Sequence, residues 1–465
     1  MTKRLLVTIV FALPIPVLYS YDLLPTLFTS KCVLLFAEVS LCAGIALIRP
    51  KQGLVRAAAL ILACTLSVLG MDLVLRVTIK RKLFGPPELF MYYWPPMPAL
   101  WRYAPNVAFH GVITGDLANL SRPHYEEKRM IDFETDAFGF RNYPWEDQMK
   151  KDDPYNLILL GDSFGTGVDT TQENTWANLF ERTYGLRTYN LSLPGAGPWH
   201  ELMNLKIACT RLHCGSKTAV LWALFSGNDL DDDYGDACEP SLVDSRLRRF
   251  VISARTFRNW SPIRNLVDRI RLSIHDPWAP QVVVGELPGG QKLLFRRRYI
   301  VATQRTYKEV RQHPNYKKLV AVLDEMRKFA DSQHLRVYVV VIPAKEEVYQ
   351  WVLRGSALGA DMEPSSFSRA VQERCDVDGF PFLDLKPLFV PEARKEFTQS
   401  RRLLWWSDDT HWNDYGHQYV TSVVHRFLST PWNGVSAASK HLGEVGTRRP
   451  NSRPSCGVPG INCLP

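Results

Sequence analysis

The first candidate for chemistry in this chain is a serine that follows a short apolar run and lies among glycines. The run 156–160 (NLILL) leads into Gly161–Phe164 (GDSF), and Gly165–Gly167 follows. The run predicts a buried strand, and the glycines predict a tight turn before a helical pattern at 173–182. Open α/β sheets place their reactive groups at such strand ends, so Ser163 is a candidate nucleophile. Gly-Asp-Ser also forms ordinary turns.

Two later segments carry the other groups that a nucleophilic serine requires: a base, a carboxylate and donors for an oxyanion. Residues 407–413 (SDDTHWN) hold His411, with Asp408 at Asp-x-x-His spacing and Asp409 at Asp-x-His spacing. Either carboxylate could reach the ring nitrogen that faces away from the serine. Residues 225–229 (FSGND) follow a strand-like run and place the Asn228 amide at another strand end.

Each segment also has a purely structural interpretation. Asp408 could cap a helix that begins after His411, and Asn228 with Asp229 could close a turn. On that helix, His417 is predicted at the surface. The joint occurrence of the segments, in the order nucleophile, oxyanion donor, acid and base, favours the catalytic interpretation.

Together the segments resemble the motif blocks of the SGNH, or GDSL-type, serine esterases and acyltransferases. Gly161–Phe164 matches the nucleophile block, with Phe164 where leucine is usual, and Asp408–His411 matches the fifth block. Ser226–Asp229 resembles the third block, with Ser226 in place of its first glycine. The second block is similar to residues 190–197 (NLSLPGAG), where its glycine corresponds to Gly195. The resemblance covers roughly residues 155–428, and 136–141 (DAFGFR) is similar to a lead-in common in membrane-anchored members.

The resemblance implies a mechanism in which Ser163 attacks an ester carbonyl while His411 accepts its proton and returns it to the leaving alcohol. Asp408 or Asp409 would hold the imidazole in the required tautomer. The oxyanion hole would consist of three donors, namely the backbone N–H groups of Ser163 and Gly195 and the side-chain amide of Asn228. Water would complete hydrolysis, and a sugar hydroxyl would complete acyl transfer. We expect no cofactor and no metal ion.

The rest of the pattern predicts the sheet that would position these groups. Strands alternate with helices, which argues for an α/β fold with a parallel sheet of about five strands and right-handed crossovers. This is the three-layer, flavodoxin-like arrangement of the resembled family. The predicted strands are 156–160, 187–191, 219–225, 336–342 and 380–384. The predicted helices are 175–184, 201–212, 316–332, 366–374 and 414–427.

Residues 1–77 differ in composition from the rest of the chain. Residues 5–19, 32–48 and 57–71 are apolar runs, the last continuing past Asp72 to Val77, and each is near the short end of the ~17–25 residues that cross a bilayer. We therefore expect an anchor of about three transmembrane helices in a lipid bilayer. A cleaved signal peptide is the alternative for the first run, although no clear small-residue cleavage site follows it.

Basic residues set the expected orientation of this anchor. Lys3 and Arg4 precede the first run, and residues 49–56 hold three basic residues between the second and third. The positive-inside rule then places the N-terminus in the cytoplasm and everything after Val77 outside, although the basic residues of 76–82 oppose this. We expect the inner (cytoplasmic) membrane, with the catalytic domain in the periplasm or at the cell exterior. If only two runs span, that domain would be cytoplasmic.

The chain after Val77 divides into three predicted parts. Residues 78–154, rich in aromatic residues and prolines, predict an irregular lead-in packed on the catalytic domain. Residues 155–430 form the hydrolase-like domain, in which 231–306 breaks the strand–helix pattern as an insertion. This insertion is acidic at its start and rich in arginine further on. It could form a lid over the site or contact anionic polysaccharide or lipid headgroups, or it could simply be a solvent-exposed, arginine-rich segment. Residues 431–465 predict a disordered tail.

The net charge and the positions of the cysteines limit the binding partners and disulfides that we expect. The formal net charge of +9 is spread along the chain, and an external domain rarely meets nucleic acid, so we expect none. Among nine cysteines, Cys209 with Cys214 and Cys456 with Cys463 are close enough in sequence for local disulfides in an oxidising compartment, while the full connectivity stays open.

We predict a membrane-anchored serine hydrolase that cleaves acyl esters, such as acetyl groups, on a small molecule or an extracytoplasmic polysaccharide. Two alternatives stay open. An O-acyltransferase would use the same residues to modify a glycan, and with so few spans it would need a membrane partner that supplies acyl groups. A non-catalytic glycan-binding or assembly protein could keep the fold, although intact Ser163, Asn228 and His411 speak against it.

Overall fold

The computed structural model describes residues 67, 70–72, 74, 91–93, 100–121, 125–143, 155–212, 214–232, 234, 281–354 and 362–430. Among these residues, no helix combines the length and the apolarity that a bilayer crossing requires. The spans predicted in 1–77 lie almost wholly outside the described residues. The same holds for residues 235–280 of the predicted insertion, for the predicted tail 431–465, and for Cys456 and Cys463.

The described strands include short pairs as well as one larger sheet. In chain order they are β1 (Met91–Tyr93), β2 (Trp101–Tyr103), β3 (Ala108–Ile113), β4 (Arg129–Glu134), β5 (Leu157–Leu160), β6 (Thr188–Asn190), β7 (Ala219–Phe225), β8 (Val282–Glu286), β9 (Lys292–Arg296), β10 (Arg336–Ile342) and β11 (Phe382–Asp384).

The described helices range from single turns to five turns. In chain order they are α1 (Asp116–Ser121), α2 (Ser163–Thr166), α3 (Trp176–Tyr184), α4 (Pro198–Leu212), α5 (Arg297–Thr303), α6 (Tyr307–Gln312), α7 (Tyr316–Gln333), α8 (Lys345–Val348), α9 (Gln350–Arg354), α10 (Ser366–Asp378), α11 (Lys386–Ser400) and α12 (Asp414–Ser429). A 3₁₀ turn spans Gln172–Asn174.

Five strands form the central sheet in the order β6-β5-β7-β10-β11, and all neighbouring strands run parallel. Numbered along the chain, this is the order 2-1-3-4-5 of a flavodoxin-like doubly wound sheet. The predicted α/β class and the parallel sheet of five strands are therefore confirmed. The sequence pattern does not predict helix α11, whose Pro387 and Pro391 read as breakers.

The sheet is central because its strands carry apolar residues toward both faces. All four residues of β5 are buried, as expected for a parallel strand covered on two sides. Ile158 and Leu160 join the cluster that includes α4, α7 and α10, whereas Leu157 and Leu159 join the cluster that includes α3, α11 and α12. The sheet is thus the middle of three layers.

Local signals set the ends of the helices near the reactive segments. Helix α3 begins after Thr175, whose hydroxyl accepts a hydrogen bond from Asn178 N, and ends at Gly185. Helix α12 begins after Asn413, whose side chain accepts a hydrogen bond from Gly416 N at 2.9 Å. The alternative in which Asp408 caps this helix is therefore wrong.

Outside the central sheet, the described strands form three antiparallel hairpins, β1–β2, β3–β4 and β8–β9, which the sequence pattern does not predict. In β4 the buried side chains belong to Arg129, Ile131 and Phe133, alternating with more exposed ones. Because a charged residue occupies one of the three inward positions, the polar–apolar alternation that signals a strand is hidden.

Two further sequence-based expectations are corrected. His417, expected at the surface of α12, is buried, and this burial, with the nearby charges of Arg141 and His411, lowers its pKa to about 3. Cys209 and Cys214 form no disulfide; both are free thiols. A hydrogen bond between these thiols lowers the pKa of Cys214 and, together with burial, raises that of Cys209.

Candidate active site

Ser163 is the first residue of the one-turn helix α2, which begins two residues after strand β5 of the central sheet. Asp162 caps this turn, because its Oδ1 accepts a hydrogen bond from Phe164 N at 2.9 Å. Gly167 ends the turn in the left-handed conformation, with φ of 77°, which a residue with a Cβ adopts only at a cost. The local sequence thus turns the chain sharply and leaves Ser163 half-buried while its neighbours are buried.

A continuous series of hydrogen bonds joins Ser163, His411 and Asp409. The His411 Nε2 atom lies 2.7 Å from Ser163 Oγ, and His411 Nδ1 lies 2.7 Å from Asp409 Oδ1. Asp409 Oδ1 also accepts the backbone N–H of His411 at 2.7 Å, so the carboxylate is fixed to the residue whose ring it faces. Of the two carboxylates left open by the sequence, the structure places Asp409 on the imidazole.

Asp408 points away from the imidazole and into a set of backbone donors. Its Oδ2 accepts hydrogen bonds from Gly115 N at 2.9 Å and from Glu127 N at 2.8 Å. Its Oδ1 lies 2.9 Å from Arg129 Nη1. Asp408 therefore ties the loop that carries His411 to the segment around hairpin β3–β4.

Aromatic rings support the imidazole from one side. The ring of Phe164 lies 5.0 Å from that of His411, centroid to centroid. Phe164 also contacts Phe225 and Trp412, at 4.5 and 4.9 Å between centroids. All three of these rings are buried, so the imidazole rests on a packed surface beside Ser163.

Nearby charges and hydrogen bonds shift the pKa values of His411 and Asp409. Burial alone would raise the pKa of Asp409, but a hydrogen bond with Asp169 and the charges of His411 and Arg129 hold it well below its ordinary value. Burial opposes the charged form of His411, yet the charge and hydrogen bond of Asp409, together with the charges of Asp116 and Asp162, raise the pKa of the imidazole. Asp409 is thus ionised across the neutral range, and it stabilises an imidazolium when one forms.

The loop 406–412 is held on three sides. The β3–β4 segment contacts it through Asp408, and β9 contacts it through the hydrogen bond from Leu294 N to Ser407 O, at 2.8 Å. From α8, the buried Lys345 ammonium donates to the carbonyl oxygens of Trp406 (3.2 Å) and Asp409. These contacts fix the loop in the geometry that brings His411 to Ser163.

Replacing Gly115 by alanine is expected to destabilise this loop, because a Cβ at that position would overlap the Asp408 carbonyl and lie 2.7 Å from Asp408 Cγ. We expect the free energy of unfolding to fall by about 1–3 kcal/mol, measured by denaturant titration. Gly215→Ala is the matched control, since a Cβ there meets nothing within 4 Å. Equal stability of the two variants would contradict the packing described for Gly115.

Besides the Ser163 N–H, the other two predicted oxyanion donors follow the strands on either side of β5. Gly195 follows β6, is exposed, and adopts a left-handed φ of 70°. Asn228 follows β7 and is buried, and its Nδ2 donates to Asp232 Oδ2 at 2.8 Å. A side-chain amide carries two N–H groups, so this bond orients the amide and uses one of them. Burial, with the charge of Asp162 adding to it, raises the pKa of Asp232 to about 7.

Several residues at this site have no signature in the sequence. Arg129 contacts Asp409, with Nη2 at 3.2 Å from Oδ2, and Asp169 Oδ2 lies 3.9 Å from His411 Nδ1. Asp116 accepts hydrogen bonds from Thr410 N and Oγ1, both at 2.8 Å. These residues lie in segments without a catalytic motif, and only the tertiary structure brings them to the loop.

The same cluster could be considered for a metal ion, because ligand atoms of Asp116, Asp409 and His411 lie within 4.8 Å of one another. Each of these groups is already engaged in the hydrogen bonds described above. The geometry therefore fits a hydrogen-bonded relay better than a metal centre, and we assign no ion to it.

No protein-family model and no curated protein sequence matches the chain. Among solved structures, the chain is similar to a psychrotrophic esterase, EstA from Pseudoalteromonas sp., whose crystal structure is that of a form inhibited by monoethylphosphonate. The identity is 12% and the TM-score 0.29, over 59% of this chain and 96% of that chain. At this TM-score the similarity establishes no shared function.

Proposed function

We propose that this chain is a serine hydrolase of the SGNH type that cleaves acyl esters. The observation that carries the proposal is the continuous series from Ser163 Oγ through the His411 ring to Asp409, with both ring nitrogens at 2.7 Å from their partners. Ser163 and His411 are 248 residues apart in sequence and meet beyond the carboxyl end of strand β5. Three groups in these roles are what nucleophilic attack on an ester requires.

The proposed reaction begins when Ser163 Oγ attacks the ester carbonyl and passes its proton to His411 Nε2. The oxyanion that forms would accept hydrogen bonds from the backbone N–H groups of Ser163 and Gly195 and from Asn228. One such donor is typically worth about 2.7–4 kcal/mol of barrier. His411 then returns the proton to the leaving alcohol, and an acyl group remains on Ser163. Water, deprotonated by His411, attacks the acyl-enzyme; the bond from the acyl carbon to Ser163 Oγ then breaks, His411 returns the proton to Oγ, and the acid is released.

Asp409 sets the direction of this proton transfer. When Nδ1–H donates to the Asp409 carboxylate, Nε2 keeps the lone pair that accepts the proton of Ser163. The negative charge also stabilises the imidazolium between the two proton transfers. Since Asp408 has its oxygens on backbone N–H groups and on Arg129, we assign it a structural role in the loop.

We further propose that the enzyme is membrane-anchored, with its catalytic domain in the periplasm or at the cell exterior, and that it acts on acyl esters of a small molecule or polysaccharide. The support for this location is the set of apolar runs in 1–77 and the basic residues between them. Acyl transfer to a glycan would proceed through the same acyl-enzyme, so the acceptor of the second step distinguishes hydrolysis from transfer.

The proposal is tested by a mass-spectrometric search for a covalent adduct on Ser163. The full-length protein is incubated with a fluorophosphonate and, separately, with an O-acetylated glycan, and the peptide containing Ser163 is measured. We expect the phosphonyl adduct, a transient acetyl adduct, and free acetate in the medium. Acetyl groups appearing on an added glycan instead would favour an acyltransferase. An unlabelled Ser163, under conditions where an active control enzyme is labelled, would favour a non-catalytic protein.

A further inference from the structure

One buried guanidinium contacts three carboxylates around the loop that carries His411. The side chain of Arg129, at the start of β4, is 5% exposed. Its Nη1 lies 2.9 Å from Asp408 Oδ1, and its Nη2 lies 3.2 Å from Asp409 Oδ2 and 3.3 Å from Asp169 Oδ2. Arg129 therefore contacts Oδ2 of the carboxylate whose Oδ1 faces the His411 ring.

The guanidinium is also held in place by neutral partners. Its Nε donates to the carbonyl of Asp169 at 3.2 Å, and Nη1 donates to the carbonyl of Glu127 at 3.0 Å. Its plane lies over the ring of Trp406, 4.6 Å from the centroid. A planar guanidinium with N–H donors in fixed directions orients its carboxylate partners. The ammonium group of a lysine acts as a point charge and orients them less well.

Charge balance gives this contact a function beyond packing. Asp169, Asp408 and Asp409 are all buried, and although the hydrogen bond between Asp169 and Asp409 holds one proton, the remaining negative charges still require a cation to offset their repulsion. Lys345, another buried cation at this loop, donates to backbone carbonyls rather than to these carboxylates. Arg129 is the cation that forms ion pairs with all three.

We propose that Arg129 is a positioning residue for the reaction: it keeps Asp409 ionised and aimed at His411 Nδ1 without touching Ser163 or the ester. This inference rests on the proposed function of Ser163 and His411. The hairpin β3–β4, which lies outside the five-stranded sheet, would then contribute to catalysis by supplying Arg129.

The proposal has a defined consequence for pH dependence. The base form of His411 and the ionised form of Asp409 are required, so kcat/KM falls on the acidic side as the pair takes up a proton. Removing the positive charge of Arg129 makes the cluster more negative, so it takes up a proton at higher pH. The charged groups that face the pair are Arg129, Asp169, Asp408, Asp116, Asp162, Arg296 and Lys345.

The test compares the pH profiles of kcat/KM for wild type, Arg129→Gln, Arg129→Lys and a control, Arg141→Gln. Arg141 is also a buried arginine of this region, but its hydrogen bonds go to backbone carbonyls and to Gln172. We expect the acidic midpoint of Arg129→Gln to rise by about 1 pH unit or more, because an adjacent opposite charge shifts a pKa by about 1–3 units. Arg129→Lys should keep a midpoint near that of wild type, and Arg141→Gln should lose stability without moving the midpoint.

The outcomes separate this inference from the proposed function. If wild type shows no turnover that depends on Ser163, the proposed function fails. If wild type turns over but Arg129→Gln keeps its midpoint, or Arg141→Gln moves it as far, the assignment of Arg129 is overturned while the function stands. Thermal unfolding of each variant, measured across the same pH range, restricts the comparison to folded protein.

Discussion

Replacing Ser163 by alanine is expected to lower kcat for ester hydrolysis by on the order of 10⁶-fold, the scale seen when a catalytic nucleophile is removed from a serine hydrolase. Without Oγ no acyl-enzyme forms, and only the oxyanion donors and substrate binding still favour reaction with water. The fold should be kept, because Ser163 is half-buried and its turn is capped by Asp162 rather than by the serine hydroxyl.

The measurement is the steady-state rate on an activated acetyl ester, combined with fluorophosphonate labelling. Ser192→Ala is the matched control, since Ser192 follows the neighbouring strand β6, is buried, and donates a long hydrogen bond of 3.5 Å from its hydroxyl to Leu159 O. This control should keep its rate and its labelling. Turnover in Ser163→Ala close to that of wild type would remove Ser163 from the mechanism.

Much of the fold is readable from the sequence because parallel strands buried on both faces leave an uninterrupted apolar run. The run Ala219–Phe225 illustrates this, since prediction and structure agree at both ends. Where an element is half-exposed or contains an unexpected polar residue, the signal weakens. Arg129 inside β4 and the prolines inside α11 hide their elements for that reason.

In the candidate site, too, some residues can be predicted from the sequence and others cannot. Ser163 and His411 are conspicuous because each lies in a short local motif. The sequence does not show which of Asp408 and Asp409 contacts His411, because both spacings can place a carboxylate on an imidazole. The choice is decided by contacts with Gly115 and Arg129, roughly 280–290 residues earlier in the chain, that draw Asp408 away. Such long-range contacts have no local pattern in the sequence.

The two adjacent aspartates are expected to respond very differently to the same conservative change. Asp409→Asn should lower kcat by about 10⁴-fold, because an amide can donate to Nδ1, favour the wrong tautomer and leave the imidazolium without a counter-charge. Asp408→Asn should lower kcat far less. Its oxygens accept hydrogen bonds from two backbone N–H groups and from Arg129, so the change should reduce the free energy of unfolding by about 1–3 kcal/mol.

Each of the two variants serves as the control for the other, since they carry the same substitution at neighbouring buried positions. Both rates and both denaturant midpoints are measured on the same ester at a pH above the acidic limb. A large loss of rate confined to Asp409→Asn is the expected pattern, because Asp409 contacts the His411 ring whereas Asp408 binds backbone N–H groups and Arg129. Equal and mild losses of rate would mean that neither carboxylate orients His411, and a greater loss in Asp408→Asn would reverse the assignment made from the 2.7 Å contact.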